Sequence, residues 1–305
     1  MELRRLEHFL AVVDHGGFTA AARQVSVSQP GLSLAVRELE QELGIPLFER
    51  LGRRVLLTPA GAALVGPARQ TLRDAETGRA AVAAVAGIEA GTLALASLPT
   101  LAADPLAGLV GRFRQRYPGV RVDLAAPEDS SDLVAMVRDG QCEAGLTEAA
   151  DFTADLACRI IGQQALLLIL APGLVDLVDP AAPPRRATGR PPPTVALVDL
   201  VAVPFIAAPM GTSTRRLLEE GFAAVGATPN VAVVTGQRDA ILPLVLAGAG
   251  AALVPEPIAG IAGRLGAAVR RPEPAIARTI ALIHRSGPLS PAVTRFVALA
   301  SDTGS

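Results

Sequence analysis

The chain has 305 residues, of which 50% are hydrophobic and 19% charged, and its formal net charge is −1. This length and apolar content exclude a disordered polypeptide and predict more than one packed domain. The first residues are charged and no apolar core of signal-peptide length follows them, while the longest uncharged stretches, 160–175 and 240–255, contain Gly and Pro and are too short to cross a bilayer. We therefore expect a cytoplasmic protein without a membrane partner.

Three amphipathic helices are predicted in the first 44 residues. The first apolar stripe begins at Leu3 and ends at Gly16-Gly17, and a short second stripe begins at Phe18. Ser28 is a good cap for a third helix that carries Pro30 in its first turn and ends at Gly44. Because only about three residues join the second and third helices, this segment is a predicted helix-turn-helix.

The outward face of the third helix carries side chains that can contact DNA, because Gln, Ser and Arg reach base edges or phosphates. The residues predicted to face away from the core are Gln29, Pro30, Ser33, Leu34, Arg37, Glu38 and Gln41. A solvated helix face with no partner is the simpler interpretation for an isolated helix.

A basic hairpin is predicted directly after this helix. Leu47–Arg50 and Val55–Thr58 have the pattern of two short strands, with arginines at and beside the turn between them. Residues 1–58 are neutral overall, since their arginines and acids are equal in number, so the position of the charges matters more than the total. The hairpin arginines favour a wing that neutralises DNA phosphates.

Residues 18–50, with the sequence FTAAARQVSVSQPGLSLAVRELEQELGIPLFER, resemble the LysR-type transcriptional regulators, and the TPAG sequence at 58–61 agrees. The resemblance implies that the third helix enters the major groove and that the wing follows the minor groove or the backbone. Leu34 departs from the family, in which a basic or polar residue is common, and Gly17 replaces the usual serine cap. The predicted DNA-binding residues are Arg23, Ser28, Gln29, Pro30, Ser33, Arg37, Arg50, Arg53 and Arg54.

A long helix is predicted from Thr58-Pro59 to Gly87. Its apolar residues follow coiled-coil spacing, although Pro67 is expected to kink or loosen the helix. The resemblance implies that this linker helix pairs two protomers, and further that a dimer of dimers forms on a two-fold operator. The alternative is that the apolar seam packs on the chain's own domain.

From residue 92 onward strands and helices alternate, which predicts an α/β domain. The resemblance implies two Rossmann-like lobes, as in periplasmic solute-binding proteins. The expected division is a winged helix-turn-helix over 1–58, the linker helix over 59–87, lobe I over 92–162 and 270–300, and lobe II over 163–269. The proline-rich segment 180–193 is expected to be a mobile loop.

Ligands of open α/β sheets bind beyond the carboxyl ends of the strands, where helices offer free N–H groups. Several predicted turns at these ends carry hydroxyls, and the resemblance implies that inducers bind there, although helix capping is the better explanation for any single such turn. These donors suit a small co-inducer such as a carboxylate, with Arg238 or Arg215 as counter-charge. The predicted effector-binding residues are Ser97, Thr100, Asp129, Ser130, Thr147, Gly211, Thr212, Ser213 and Gln237.

These features together predict a transcriptional regulator that binds operator DNA under the control of a small molecule, with RNA polymerase as a further candidate partner. No cofactor or metal is expected, because the sequence lacks a zinc-ligand set, a G-x-S-x-G elbow and a Walker loop, which also argues against an enzyme. One alternative is a redox sensor that uses Cys142 and Cys158. A solute-binding receptor is another, but it would leave residues 1–86 unexplained.

Overall fold

The computed structural model describes residues 1–51, 54–85, 91–150, 154–174 and 191–301. The segment 180–193 that we expected to be mobile lies outside the described residues, except for its last three. Among the helices of the described ranges, none has both the length and the apolarity that crossing a bilayer requires.

The amino-terminal domain is a winged helix-turn-helix, as predicted. Its helices are α1 (Leu3–Asp14), α2 (Phe18–Gln24) and α3 (Gln29–Leu43), and its antiparallel wing strands are β1 (Phe48–Leu51) and β2 (Arg54–Leu57). Phe48 anchors the wing on the helices, because its ring lies 5.4 Å from that of Phe9 and 5.6 Å from that of Phe18.

The linker helix α4 (Pro59–Val85) continues through Pro67 without a break. Its first half packs on α1 of the same chain, since Leu64, Ala68 and Leu72 share a core cluster with Phe9. This half of the apolar seam therefore packs within the protomer, as the alternative interpretation, packing on the chain's own domain, predicted. Val82 in the second half stays 73% exposed.

The rest of the chain is built on one ten-stranded sheet with the order β4-β3-β5-β12-β6-β10-β8-β9, in which β11 lies beside β6 and β7. The strands that follow the linker are β3 (Gly91–Ser97), β4 (Val120–Ala125), β5 (Ala144–Glu148), β6 (Leu156–Leu170), β7 (Thr194–Ala196), β8 (Pro204–Ala207), β9 (Asn230–Val234), β10 (Ala251–Pro255), β11 (Ala268–Glu273) and β12 (Ile276–Arg285).

Helices pack on this sheet and divide it into two lobes. They are α5 (Pro99–Leu101), α6 (Ala107–Arg116), α7 (Ser130–Arg138), α8 (Ser213–Ala223), α9 (Arg238–Leu246), α10 (Glu256–Arg264) and α11 (Pro291–Ser301). The lobe I core surrounds Phe113 and Phe296, and the lobe II cores lie around Phe205 and Phe222 on one side and Ile169 on the other.

Two long antiparallel strands, β6 and β12, connect the lobes. At one end Leu156 and Ile280 belong to the lobe I core, and at the other Leu166 and Ile276 belong to lobe II. The chain therefore passes between the lobes inside these strands, and residues 270–275 lie with lobe II. Polar residues occupy the middle of the strand pair, which positions them between the lobes.

Candidate nucleic-acid interface and effector cleft

The amino-terminal end of α3 projects from the domain. Ser28 caps the helix, because its Oγ accepts a hydrogen bond of 3.2 Å from the backbone N–H of Gly31. Gln29, Pro30 and Arg37 are exposed on the outward face, and Leu34 is 57% exposed among them. This face can enter a groove without unfolding any part of the core.

Ser33 does not share this face, contrary to our expectation, because its side chain is only 8% exposed. At 100° per residue, position 33 lies at the edge of the apolar stripe formed by Leu32 and Val36, rather than opposite to it. The burial of Ser33 follows from this edge position. Base contact by Ser33 would therefore require its rotation out of the domain.

The acids of α3 are paired with other parts of the domain, including Glu38, which was predicted on the outward face. Glu38 and Glu42 bind Arg5 of α1, with N–O distances of 3.2 Å and 3.0 Å. Glu40 accepts hydrogen bonds from the backbone N–H groups of Leu47 (2.8 Å) and Phe48 (3.2 Å), which fixes the start of the wing. The domain has no net charge, but these three acids bind groups of the domain itself.

The other arginines of the predicted interface that the structure describes lie in α2 and in the wing strands. Arg23 is exposed in the last turn of α2. The backbones of Arg50 and Arg54 lie in the two wing strands, opposite Val55 and Leu51, and Arg53 lies outside the described residues.

A buried arginine lies between the lobes, on the β6–β12 strand pair. The side chain of Arg278 is 3% exposed and forms an ion pair of 3.3 Å with Glu148 at the end of β5. Its guanidinium donates to Oε1 of Gln164 on β6 (3.0 Å from Nε), to the Ser213 hydroxyl (2.6 Å) and to the Thr100 hydroxyl. One side chain thus connects both lobes.

Glu148 also binds a second arginine, Arg216. Its carboxylate accepts from the Ser213 hydroxyl at the start of α8 and from Arg216 one turn later. Burial lowers the pKa of the Arg278 guanidinium most, Glu148 opposes this shift, and the positive charges of Arg216 and Arg238 add to it. Arg278 and Arg216 therefore both bind Glu148, and Arg238 is near enough to Arg278 to affect its pKa.

Two of the predicted effector-binding residues, Thr100 and Ser213, meet in this cluster. Others are engaged within their own turns: the Ser97 hydroxyl donates to its neighbour's carbonyl (3.1 Å) and that of Thr212 donates to the carbonyl of Pro209 (2.8 Å). Thr147 is fully buried, and its Oγ1 has no hydrogen-bond partner among the described residues. Gly211 has a φ of +85°, which suits the turn before α8.

The turns before α7 and α9 face each other across the cleft. Asp129 caps α7, and hydrogen bonds from the Ser131 hydroxyl and then from the Asp132 N–H lower its pKa. Ser130 is the first residue of α7, and Gln237 is the exposed N-cap residue of α9. An ion pair of 3.0 Å between Arg238 and Glu128 connects these two turns.

A cavity of about 250 Å³ opens beside this ion pair. Thr100 lines it from lobe I, and Thr214, Arg238 and the apolar side chains of α9 and α10 line it from lobe II. Arg215, our other candidate counter-charge, instead binds Glu219 of its own helix at 2.6 Å.

Glu148, Gln164 and Arg278 were not among the predicted effector-binding residues, because we expected effector contacts only at the turns beyond strand ends. The sequence does carry a signal for two of them: Gln164 and Arg278 are polar residues inside apolar strands, and both are at least 94% buried. Buried polar groups of this kind need partners, so they point to a polar cluster between the lobes.

The two cysteines do not favour the redox alternative. Cys142 is buried and Cys158 exposed, and both are free. Burial raises the pKa of the Cys142 thiol to about 11 and also raises that of Cys158. Reactive thiols require the opposite shift, since the thiolate is the nucleophile.

Two protein-family descriptions match the chain. The LysR substrate binding domain matches residues 86–305, and the bacterial regulatory helix-turn-helix protein of the lysR family matches residues 3–62. The HTH-type transcriptional regulator TfdS of Cupriavidus pinatubonensis is 29% identical over 261 residues, which cover 86% of this chain and 84% of the relative. TfdT of the same organism is 31% identical over 211 residues, with 69% and 86% covered.

Solved structures extend the similarity to the full length. The crystal structure of CbnR, a LysR family transcriptional regulator, has 27% sequence identity and a TM-score of 0.69, with all of both chains covered. Full-length CbnR in complex with its target DNA has 27% identity and a TM-score of 0.68, with 99% of this chain and 100% of that chain covered.

Proposed function

Because the chain belongs to the LysR family of sequence-specific DNA-binding transcriptional regulators, we propose that it binds a two-fold operator as a homodimer and that a small anionic effector between its lobes controls this binding. The polar cluster around Arg278 carries the proposal. It joins both lobes at the strand pair that connects them, so a ligand there acts on their relative arrangement.

The exposed end of α3 supports the DNA-binding part of this proposal. Gln29 and Arg37 are exposed, while Glu38, Glu40 and Glu42 are bound to α1 or to the start of the wing. Pairing of these three α3 carboxylates reduces the repulsion that free acids would exert on phosphate.

Gln29→Ala is expected to reduce sequence specificity. An amide at the groove-facing end of α3 can bond an adenine edge, so its loss should cost about 1–3 kcal/mol at the cognate operator and little on random DNA. Fluorescence anisotropy with both DNAs at one salt concentration measures this difference. Gln41→Ala, near the other end of α3, is the matched control, and an equal loss on both DNAs for Gln29→Ala would assign that residue to positioning alone.

The second half of α4 supports the homodimer. At Val82, which is 73% exposed, the apolar seam does not pack on the chain's own domain. An exposed apolar residue on a long helix gains free energy when a second copy of the helix covers it. The same arrangement is compatible with a dimer of dimers, in which further contacts join two such pairs.

Val82→Glu should therefore weaken the dimer, because the carboxylate must lose its hydration in the paired seam. We expect the dimer dissociation constant to rise by a factor of roughly ten or more in sedimentation experiments. Ala62→Glu places the same charge on the opposite side of the helix, in an exposed position, and should leave the constant unchanged. Equal behaviour of the two variants would show that this seam does not pair protomers.

A further inference from the structure

The cavity between the lobes has two kinds of wall. Ile241, Leu242 and Ile258 contribute an apolar wall from lobe II, while Thr100, Thr214 and Arg238 contribute hydroxyls and a guanidinium. Ligand pockets have this composition, mostly apolar with a few polar groups that orient the ligand. Its volume of about 250 Å³ is below the usual range for drug-sized ligands, so the cavity selects a small molecule.

Arg238 has hydrogen-bond donors that none of the described residues satisfies. Its Nη2 donates to Glu128 at 3.0 Å, but Nε and Nη1 are buried without a partner. Leaving such a donor desolvated and unbonded is costly, which indicates that a bound acceptor completes the site. Asp239 also borders the cavity, but it is exposed and therefore solvated.

The local charge favours an anion as that acceptor. Arg216 is bound by Glu220 and Glu148, and Glu148 is also bound by Ser213 and Arg278. Of these arginines and Arg238, only Arg238 has buried donors without a partner among the described residues. Glu128, the partner of Arg238, is 55% exposed, so solvent weakens its pairing.

Glu128 also competes with a ligand for the same guanidinium. A carboxylate binds arginine in bidentate manner either through Nε and Nη2 or through Nη1 and Nη2, and Nη2 belongs to both pairs. Glu128 occupies one of the two N–H groups of Nη2 and therefore one of these two pairs, and a carboxylate that binds in bidentate manner on that side must displace it. Binding on that side breaks an ion pair that connects the two lobes.

We propose that this cavity binds a small monocarboxylate with an apolar body, that Arg238 binds its carboxylate, and that the ligand replaces Glu128 and so releases one contact between the lobes. The regulatory part rests on the proposed function, in which a ligand between the lobes controls operator binding. The apolar wall excludes strongly hydrated anions such as phosphate, because their hydration would not be replaced there.

Thermal unfolding of the full-length protein with isovalerate, hexanoate and benzoate, each compared with its primary amide, tests the binding site. At least one carboxylate should raise Tm, while the matched amide and inorganic phosphate should not.

Arg238→Met should weaken the binding of that carboxylate about tenfold to a hundredfold, as expected for a lost charge-assisted contact. Glu128→Gln should strengthen it, by about tenfold, because the competing charge is removed.

Arg215→Met is the matched control, since it removes an arginine of lobe II that is bound to Glu219 and should leave carboxylate binding unchanged. Far-UV circular dichroism of each variant without ligand verifies that it is folded. No stabilisation by any carboxylate, equal stabilisation by the amides, or unchanged affinity in Arg238→Met would each overturn the site. Carboxylate binding that depends on Arg238 but leaves the operator footprint unaltered would keep the site and overturn its regulatory role, whereas loss of specific operator binding by the wild type would contradict the proposed function itself.

Discussion

Arg278→Met should destabilise the effector domain by about 3–5 kcal/mol, as found when one partner of a buried ion pair is removed. The methionine fills much of the same space, but Glu148, whose side chain is 14% exposed, would lose its most buried counter-charge. Gln164, Thr100 and Ser213 would lose hydrogen bonds at the same time. The free energy of unfolding in urea, followed by far-UV circular dichroism, measures the effect.

The double variant Arg278→Met/Glu148→Gln distinguishes charge from packing. If the uncompensated carboxylate causes the loss, neutralising it should recover a substantial part of the stability, although Arg216 then loses a partner. A double variant that is less stable than the sum of the two single variants would show that side-chain shape, and not the buried charge, dominates at this position.

Gly61→Ala is expected to disrupt the junction between the wing and the linker helix. A Cβ at Gly61 would lie 2.1 Å from the carbonyl oxygen of Leu47 and 2.8 Å from Cδ2 of Leu57, so the backbone must move. Overpacking of this kind typically costs about 1–3 kcal/mol and occasionally more, and contact with a backbone atom places this site at the upper end. The Leu47 carbonyl also accepts the N–H of Thr58 at 3.0 Å, which the shift would weaken.

Gly66→Ala provides the control for Gly61→Ala, because it lies in the same helix and a Cβ there has no atom within 4 Å. Alanine in an open helical position should stabilise the helix by about 0.5–1 kcal/mol. The melting temperature and the operator affinity should therefore fall in Gly61→Ala and rise in Gly66→Ala. If Gly61→Ala melts at the wild-type temperature, the tight contact with Leu47 is not required for the fold.

The amino-terminal domain was predictable because its signals are local. The cap at Ser28, the stop at Gly44 and the spacing of Leu32 and Val36 define α3 without reference to distant residues. Ser33 was misplaced because it lies at the edge of the apolar stripe, where periodicity alone does not specify whether a side chain is buried.

The polar cluster between the lobes was harder to predict, because strand β6 lacks a continuous apolar pattern. The continuous apolar run starts only at Ala165, yet β6 begins at Leu156, and its middle carries Gly162 and Gln164. These residues interrupt the pattern because they lie between two lobes rather than inside one core. A strand that serves two cores thus resembles a loop in the sequence.

The packing of α4 on α1 has a mechanical consequence. At 1.5 Å per residue, its 27 residues form a rod about 40 Å long, and the ion pair between Arg69 and Asp14 fastens its first half to the DNA-binding domain. A tilt of roughly 10° at the far end of such a rod would displace α3 by about 7 Å, or close to two base-pair steps of 3.4 Å. Under the proposed regulation, small rotations of a lobe would therefore be amplified into changes of register on the double helix.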